Sequence, residues 1–139
     1  GGPQAGDRAP DGPLLAADSR RETSLFEIVR APSHHLVVFE GDAMPTSDER
    51  APDSTSAVLS SLARVPDDLV ASHRVFRRRD GASPRGAFID VTGRLHSLYG
   101  VASAGLYVIR PDGHVGFRSA GTDMARLVKW LRRTFPCLA

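Results

Sequence analysis

Cysteine, histidine, serine and carboxylate side chains carry most protein chemistry, and this 139-residue chain places them in no pattern that completes a reactive site. Its single cysteine, Cys137, stands at the end of the sequence with no second cysteine to pair or resolve it. The five histidines, His34, His35, His73, His96 and His114, show neither the i, i+4 pairing nor the short-loop pairing of a zinc site, and no Cys pair joins them. A metal would therefore need residues that only the fold could bring together. Nucleophilic serine chemistry fares no better. There is no G-x-S-x-G turn, and Ser60-Ser61 fall inside a helical pattern rather than on a strained bend. Carboxylates at Asp67-Asp68, Asp90 and Asp112 sit at turns, where aspartate is expected for capping alone. No phosphate-binding loop and no G-x-G-x-x-G follows a strand. The expectation is a chain with no catalytic residue, no cofactor-binding residue and no metal ligand of its own.

The elements that would position such groups are clearer. Ser24-Leu25-Phe26-Glu27 has capping-box spacing and opens a short helical turn, Leu25 to Val29, which Pro32 stops. Leu36-Val37-Val38-Phe39 is a continuous apolar run between polar residues, as in a strand buried on both faces. Residues 40–52 are polar and interrupted by Gly41, Pro45 and Pro52, a loop. A helix is expected from Asp53 or Ser54 to Arg64, with Val58, Leu59 and Leu62 on one face. His73 to Arg77 reads as a second strand, Ala87 to Val91 as a short one, and Leu95 to Tyr99 as a helical turn ending at Gly100. A hairpin follows. Leu106-Tyr107-Val108-Ile109 halts at Arg110-Pro111-Asp112-Gly113, where Pro111 pre-sets φ for a turn and Gly113 supplies a positive φ. The returning strand is expected to point Val115 and Phe117 to one face and His114, Gly116 and Arg118 to the other. Thr122 or Asp123 then caps a helix with Met124, Leu127, Val128 and Leu131 at i, i+3, i+4, i+7.

Strand, helix and strand joined by a long connection imply a parallel crossover, and a tight hairpin adds antiparallel strands to the same sheet. The fold class is α/β: a mixed central β-sheet flanked by helices, with a C-terminal β-hairpin followed by an amphipathic helix, the thioredoxin-like arrangement. A ferredoxin-like fold is the alternative, but it would put a closing strand where the last helix lies. At this length one domain buries roughly two-thirds of its unfolded surface and needs no disulfide or metal. Residues 1–13, rich in Gly, Pro and Asp, suit a linker or an extended lead-in, leaving 14–139 as a single domain.

Hydrophobic content of 41% and charged content of 24% are ordinary for a globular domain. No run approaches the roughly 20 apolar residues of a membrane span, and no signal peptide is visible, so a cytoplasmic location and no membrane partner are expected. Net charge is +2, with Lys129 the only lysine among 18 basic residues. Arg77-Arg78-Arg79 with Arg85 form a basic patch. It lacks interleaved aromatics and sits beside Asp80 and Asp90, which favours a solvated loop over a nucleic-acid surface.

In a thioredoxin-like fold the reactive cysteine follows the first central strand at a helix N-terminus, where the helix dipole stabilises the thiolate. Here the corresponding stretch, Phe39-Glu40-Gly41-Asp42-Ala43-Met44-Pro45-Thr46 and onward to Ser54, contains no cysteine. Thiol redox chemistry has no nucleophile.

Three stretches carry a family likeness. They are Ala5-Gly6-Asp7-Arg8-Ala9-Pro10-Asp11; Thr23-Ser24-Leu25-Phe26-Glu27 with the strand Leu36 to Phe39; and Asp90-Val91-Thr92-Gly93 through Tyr99-Gly100 to the hairpin Leu106–Arg118. Together they resemble the C-terminal thioredoxin-like domain of flavin-dependent aromatic hydroxylases, the phenol hydroxylase and polyketide hydroxylase group. That family's hairpin reads L-V-R-P-D-G-x-V-A-W-R. Ile109, Gly116 and Phe117 depart from it only in size, and Arg110, Pro111, Asp112 and Gly113 keep its signature. The lead-in and strand also resemble peroxiredoxins, from whose active members the missing cysteine separates this chain.

The resemblance implies a redox-inactive domain of an enzyme that hydroxylates aromatic rings with FAD, NAD(P)H and O2. The flavin-binding residues of such enzymes map to no position here. The implied partners are the flavoprotein core domains and, in some members, a second subunit in a homodimer. Such packing needs an exposed apolar or aromatic patch. Trp130, about 60° off the Met124–Leu131 stripe at roughly 100° per residue, is the candidate interface residue, with burial under a loop as the equal alternative. The other functional reading is a free-standing, degenerate peroxiredoxin-like binding module without thiol chemistry.

Overall fold

The apolar run Leu36–Phe39 lies in the middle of strand β3 (His34–Gly41), and β3 lies inside a mixed sheet. This computed structural model describes residues 2–41, 65–66, 68–77, 87–121 and 123–136. The helix expected over 53–64, residues 42–52 of the loop expected before it, most of the arginine patch, and Cys137 lie outside these residues; Glu40 and Gly41, expected to open that loop, instead extend β3 beside β4.

Six further strands complete the sheet: β1 (Pro13–Ala16), β2 (Glu22–Ser24), β4 (Val70–Phe76), β5 (Phe88–Ile89), β6 (Gly105–Ile109) and β7 (Val115–Ala120). Their spatial order is β2-β1-β5-β4-β3-β6-β7. The β3–β4 and β4–β5 pairs run parallel, while β3–β6, β6–β7, β1–β5 and β1–β2 run antiparallel. Three helices are described: α1 (Leu25–Ile28), α2 (Arg94–Leu98) and α3 (Met124–Thr134). The chain thus ends in a helix where a ferredoxin-like fold would place a strand.

Side chains alternate across a strand, so a run that is apolar at every position needs cover on both faces. Val37 and Phe39 pack with Leu25, Leu95, Tyr99, Tyr107 and Ile109 on the face of α1 and α2. Leu36 and Val38 pack with Leu106, Val108, Phe117, Leu127 and Leu131 under α3. Removing each large side chain from water contributes about 1.5–3 kcal/mol.

The hairpin departs from simple alternation. Val108 faces Phe117 and Ile109 faces Val115, so Gly116 is an extra residue, a β-bulge. Val115 therefore joins the α1/α2 core and Phe117 the α3 core, rather than sharing a face as expected. Glycine suits the bulge because a methyl group there would lie 3.0 Å from Arg110 Cγ and 3.1 Å from Trp130 Cζ2.

The lead-in is laced to the domain. Gly6 N–H donates to Val115 O (2.7 Å), Val115 N–H to Asp7 O (2.8 Å), and Ala9 N–H to Gly113 O (2.9 Å). Arg118 Nη1 donates to Pro3 O (2.8 Å), and the Tyr99 hydroxyl to Pro10 O (2.7 Å). These bonds satisfy backbone groups at the start of β7, an edge strand that would otherwise present them to other chains. If the bulge is packed as described, Gly116→Val costs about 1–3 kcal/mol in urea unfolding and Gly116→Ala less; an unaltered midpoint for the valine variant contradicts it.

Candidate functional site

At the C-terminal end of β3, where a thioredoxin-like fold would carry its reactive residue, the described residues form a hydrogen-bond chain. Gly41 N–H donates to His96 Nε2 (3.1 Å), and His96 Nδ1 lies 2.9 Å from Asp90 Oδ2, which also accepts the His96 backbone N–H (2.8 Å). Because Nε2 accepts, the proton sits on Nδ1 and the ring is neutral. Both side chains are fully buried, and the ring meets Phe39 edge-on at 5.1 Å. Burial pushes the Asp90 carboxyl up. The hydrogen bonds from the His96 side chain, the His96 backbone and the Leu95 backbone outweigh it and hold the group below its ordinary range. Its Oδ1 has no partner among the described residues.

Local sequence explains the arrangement. Asp90 follows β5, its N–H donating to Phe76 O at the end of β4 (2.6 Å), and Gly93 takes φ +72° to start α2. The five-residue helix then aims His96 back at Asp90. Gly41 has φ +61°, and a Cβ there would lie 2.0 Å from Ser103 O, so only glycine lets β3 pass this close to the 101–104 loop. The imidazole lone pair is spent on a backbone N–H, which makes the dyad an anchor for the strand end rather than a free base. Beside it, the buried Glu40 accepts from Arg74 Nη2 (3.0 Å) and Arg74 Nε, an ion pair bridging β3 and β4.

A second histidine contact lies at the other end of β3. Buried His35 donates from Nε2 to Ala31 O (2.8 Å), leaving Nδ1 to accept from His73 Nε2 at 2.9 Å, with the rings stacked 5.1 Å apart. Burial first, and then the neighbouring His35, lower the His73 pKa to about 4. His35 is thus a paired core residue rather than the polar boundary its place before an apolar run suggests. Among the described residues no group of three or more His, Cys, Asp or Glu side chains could hold a metal.

The signature residues of the hairpin brace their own turn. Arg110 Nε and Nη2 reach Asp112 Oδ1 and Oδ2 at 3.1 and 2.6 Å, and Asp112 Oδ1 accepts from His114 N–H (3.0 Å). The Arg110 hydrogen bonds, with that backbone N–H, keep the exposed Asp112 carboxyl well below the usual range. Pro111 occupies the turn, and Gly113 (φ +84°) donates to Arg110 O at 2.9 Å. Trp130 is half-buried, its ring centroid 5.8 Å from Phe117, 6.2 Å from His34 and 6.5 Å from Phe135, so it flanks the α3 core.

None of the described helix N-termini is built to receive a flavin pyrophosphate. The Ser24 hydroxyl caps α1, α2 is a five-residue turn, and the Asp123 carboxylate caps α3, where it would repel a phosphate. Sequence reasoning placed the hairpin and the stripe on α3 but missed both histidine contacts. The available signal for one was Asp-x-x-Gly-x-x-His, an acid three residues before a helix-opening glycine and six before a histidine.

No protein-family model matches this chain, and no curated protein matches it. Among solved structures it is similar to the flavin-dependent monooxygenase PieE, in complex with FAD and substrate, at 21% identity and TM-score 0.61; the match covers 93% of this chain and 19% of that one. Aklavinone-11 hydroxylase, in a ternary complex with FAD and aklavinone, matches at 22% identity and TM-score 0.57, again over 93% of this chain and over 21% of its own. The thiol peroxidase from Chromobacterium violaceum matches at 15% identity and TM-score 0.67, over 99% of this chain and 90% of that one. The chain spans about a fifth of each hydroxylase and nearly the whole of the peroxidase. The fold is thioredoxin-like.

The histidine pair sets a pH dependence. The folded chain keeps His73 neutral down to about pH 4, whereas the unfolded chain protonates it near 6.5. Stability is therefore full above pH 6.5, falls as pH drops from 6.5 to 4, and loses about 3 kcal/mol from this group by the bottom of that window. Urea unfolding at stepped pH reads the loss, which His73→Gln should largely remove; a flat wild-type profile contradicts the assignment.

Proposed function

We propose that this chain is a redox-inactive thioredoxin-like domain of a cytoplasmic, FAD-dependent aromatic-ring monooxygenase, acting by packing on the flavoprotein domains and contributing subunit contacts. The observation that carries the proposal is the absence of cysteine from residues 39–54 in a chain of this fold. A thiolate at that helix N-terminus is the group thioredoxin-like chemistry turns on, and no other side chain replaces its two-electron exchange. What stands in the described part of that region is an interlocked Gly41–His96–Asp90 anchor, suited to holding the strand end still. The match of nearly the whole chain to about a fifth of two flavin hydroxylases supports the same reading. So does the hairpin signature from Arg110 to Gly113. In this reading FAD and NAD(P)H belong to the other domains of the parent enzyme, and nucleic acid has no part.

A second reading is favoured by one observation, the near full-length match to a stand-alone thiol peroxidase. It makes the chain a free-standing thioredoxin-like binding module without thiol chemistry. The contiguous upstream coding sequence separates the two. A G-x-G-x-x-G strand–helix segment in the same frame supports the hydroxylase domain, and an initiator Met directly before this segment supports the free module. In the first reading the purified 139-residue chain is colourless; a yellow preparation with stoichiometric flavin would overturn the assignment of flavin contacts to other domains.

A further inference from the structure

The outer face of α3 is charged with one sign. Arg126, Lys129, Arg132 and Arg133 are exposed, and the helix contains no acid. Among the described residues none of the four makes an ion pair; Arg126 instead lies over the Phe117 ring, 5.7 Å from its centroid. These four are among the 18 basic side chains of the chain, and they stand on one short helix with no acid to offset them. Spacing makes the concentration costly. Arg126 and Lys129 stand at i, i+3, and Lys129 and Arg133 at i, i+4, where like charges oppose helix formation instead of supporting it.

Three of these cations also border a groove. Phe117 and Trp130 floor it, Arg126, Lys129 and Arg133 rim it, and its volume is about 300 Å³. At 100° per residue Arg126, Lys129, Trp130 and Arg133 share one side of α3, turned away from the buried Leu127 and Leu131. The glycine at position 116 lets β7 pass close under the Trp130 ring, where a Cβ would lie 3.1 Å from Cζ2. An aromatic floor inside a ring of cations suits an apolar side chain flanked by carboxylates.

We infer that this face of α3 is the docking surface of the domain, and that its occupant is an acidic polypeptide segment that seats one apolar side chain on the Phe117–Trp130 floor while its carboxylates meet Arg126, Lys129 and Arg133. The inference rests on the packing-domain reading above and names the chemistry of the partner. A nucleic acid fits less well. The cations span a single helix of about 16 Å, the Asp123 carboxylate stands at its start, and the rest of the chain is net acidic.

Trp130 is the only tryptophan in the chain, so its emission reports directly on the groove. The 139-residue chain is titrated with a capped ten-residue peptide of Asp and Glu around one central Leu. Parallel titrations use the same peptide with Asn and Gln for the acids, and a short DNA duplex. The acidic peptide should shift Trp130 emission with a dissociation constant on the order of 10–100 μM, weakening several-fold in 0.5 M salt. The neutral peptide should give no shift. Arg126→Gln/Lys129→Gln/Arg133→Gln should bind at least about tenfold more weakly while melting no lower than the parent, since relief of like-charge repulsion offsets the lost side chains. An absent shift, an equal response to the neutral peptide, unchanged binding by the triple variant, or tighter binding of the duplex would each overturn the inference. Should the triple variant still bind the separately expressed flavoprotein core as the parent does, this face is excluded and the packing-domain reading stands.

Discussion

Everything in this domain is arranged around a strand that has no polar side. β3 carries Leu36, Val37, Val38 and Phe39 in succession, all fully buried, and such a strand is stable only where both faces and both edges are occupied. The faces are filled by α1 and α2 on one side and α3 on the other, and the edges by β4 and β6. The hairpin, the terminal helix and the lead-in all follow from that requirement. β6 repeats the same pattern one strand outward. Beyond it β7 needs cover on its remaining edge, which residues 6–9 begin to supply. The bulge at Gly116 is what lets β7 place Val115 in one core and Phe117 in the other.

The buried carboxylates and histidines beside β3 are held by one another, by Arg74 and by backbone groups, with Asp90 Oδ1 left unpartnered among the described residues. Asp90 would be costly alone, and two donors from His96 keep it ionised; His96 in turn accepts the N–H of Gly41. Glu40 is held by the fork of Arg74, and His35 by Ala31 O and His73. One set ties β3 to the α2 turn, and the other two tie its two ends to His73 and Arg74 of β4. Truncating one partner leaves another buried and unsatisfied, so these contacts act on uniqueness of structure as much as on stability.

Much of this was legible in the sequence because it is written in local pattern. The run at Leu36–Phe39, the turn residues Arg110–Gly113 and the stripe on α3 are read from neighbours in the chain. β1 and β2 were not anticipated, being strands of four and three residues at one side of the sheet with too few positions to show alternation. The bulge escaped because an extra residue is invisible until two strands are registered against each other. His35 and His73 are separated by 38 positions and meet only once β3 and β4 are laid parallel. Asp90 and His96, six apart, were closer to legible, but a turn aspartate has a sufficient bland explanation.

Residues 39–54, where a thioredoxin-like fold carries its reactive cysteine, contain no cysteine in this chain. The thioredoxin-like frame has its strand end tied to Asp90 through His96, and α3 carries four exposed cations and no acid. The most direct test is a thiol–disulfide exchange and peroxide-consumption assay on the 139-residue chain, before and after alkylation of Cys137. A redox-inactive domain gives rates indistinguishable from buffer in both states. Turnover above background that alkylation abolishes would contradict the account.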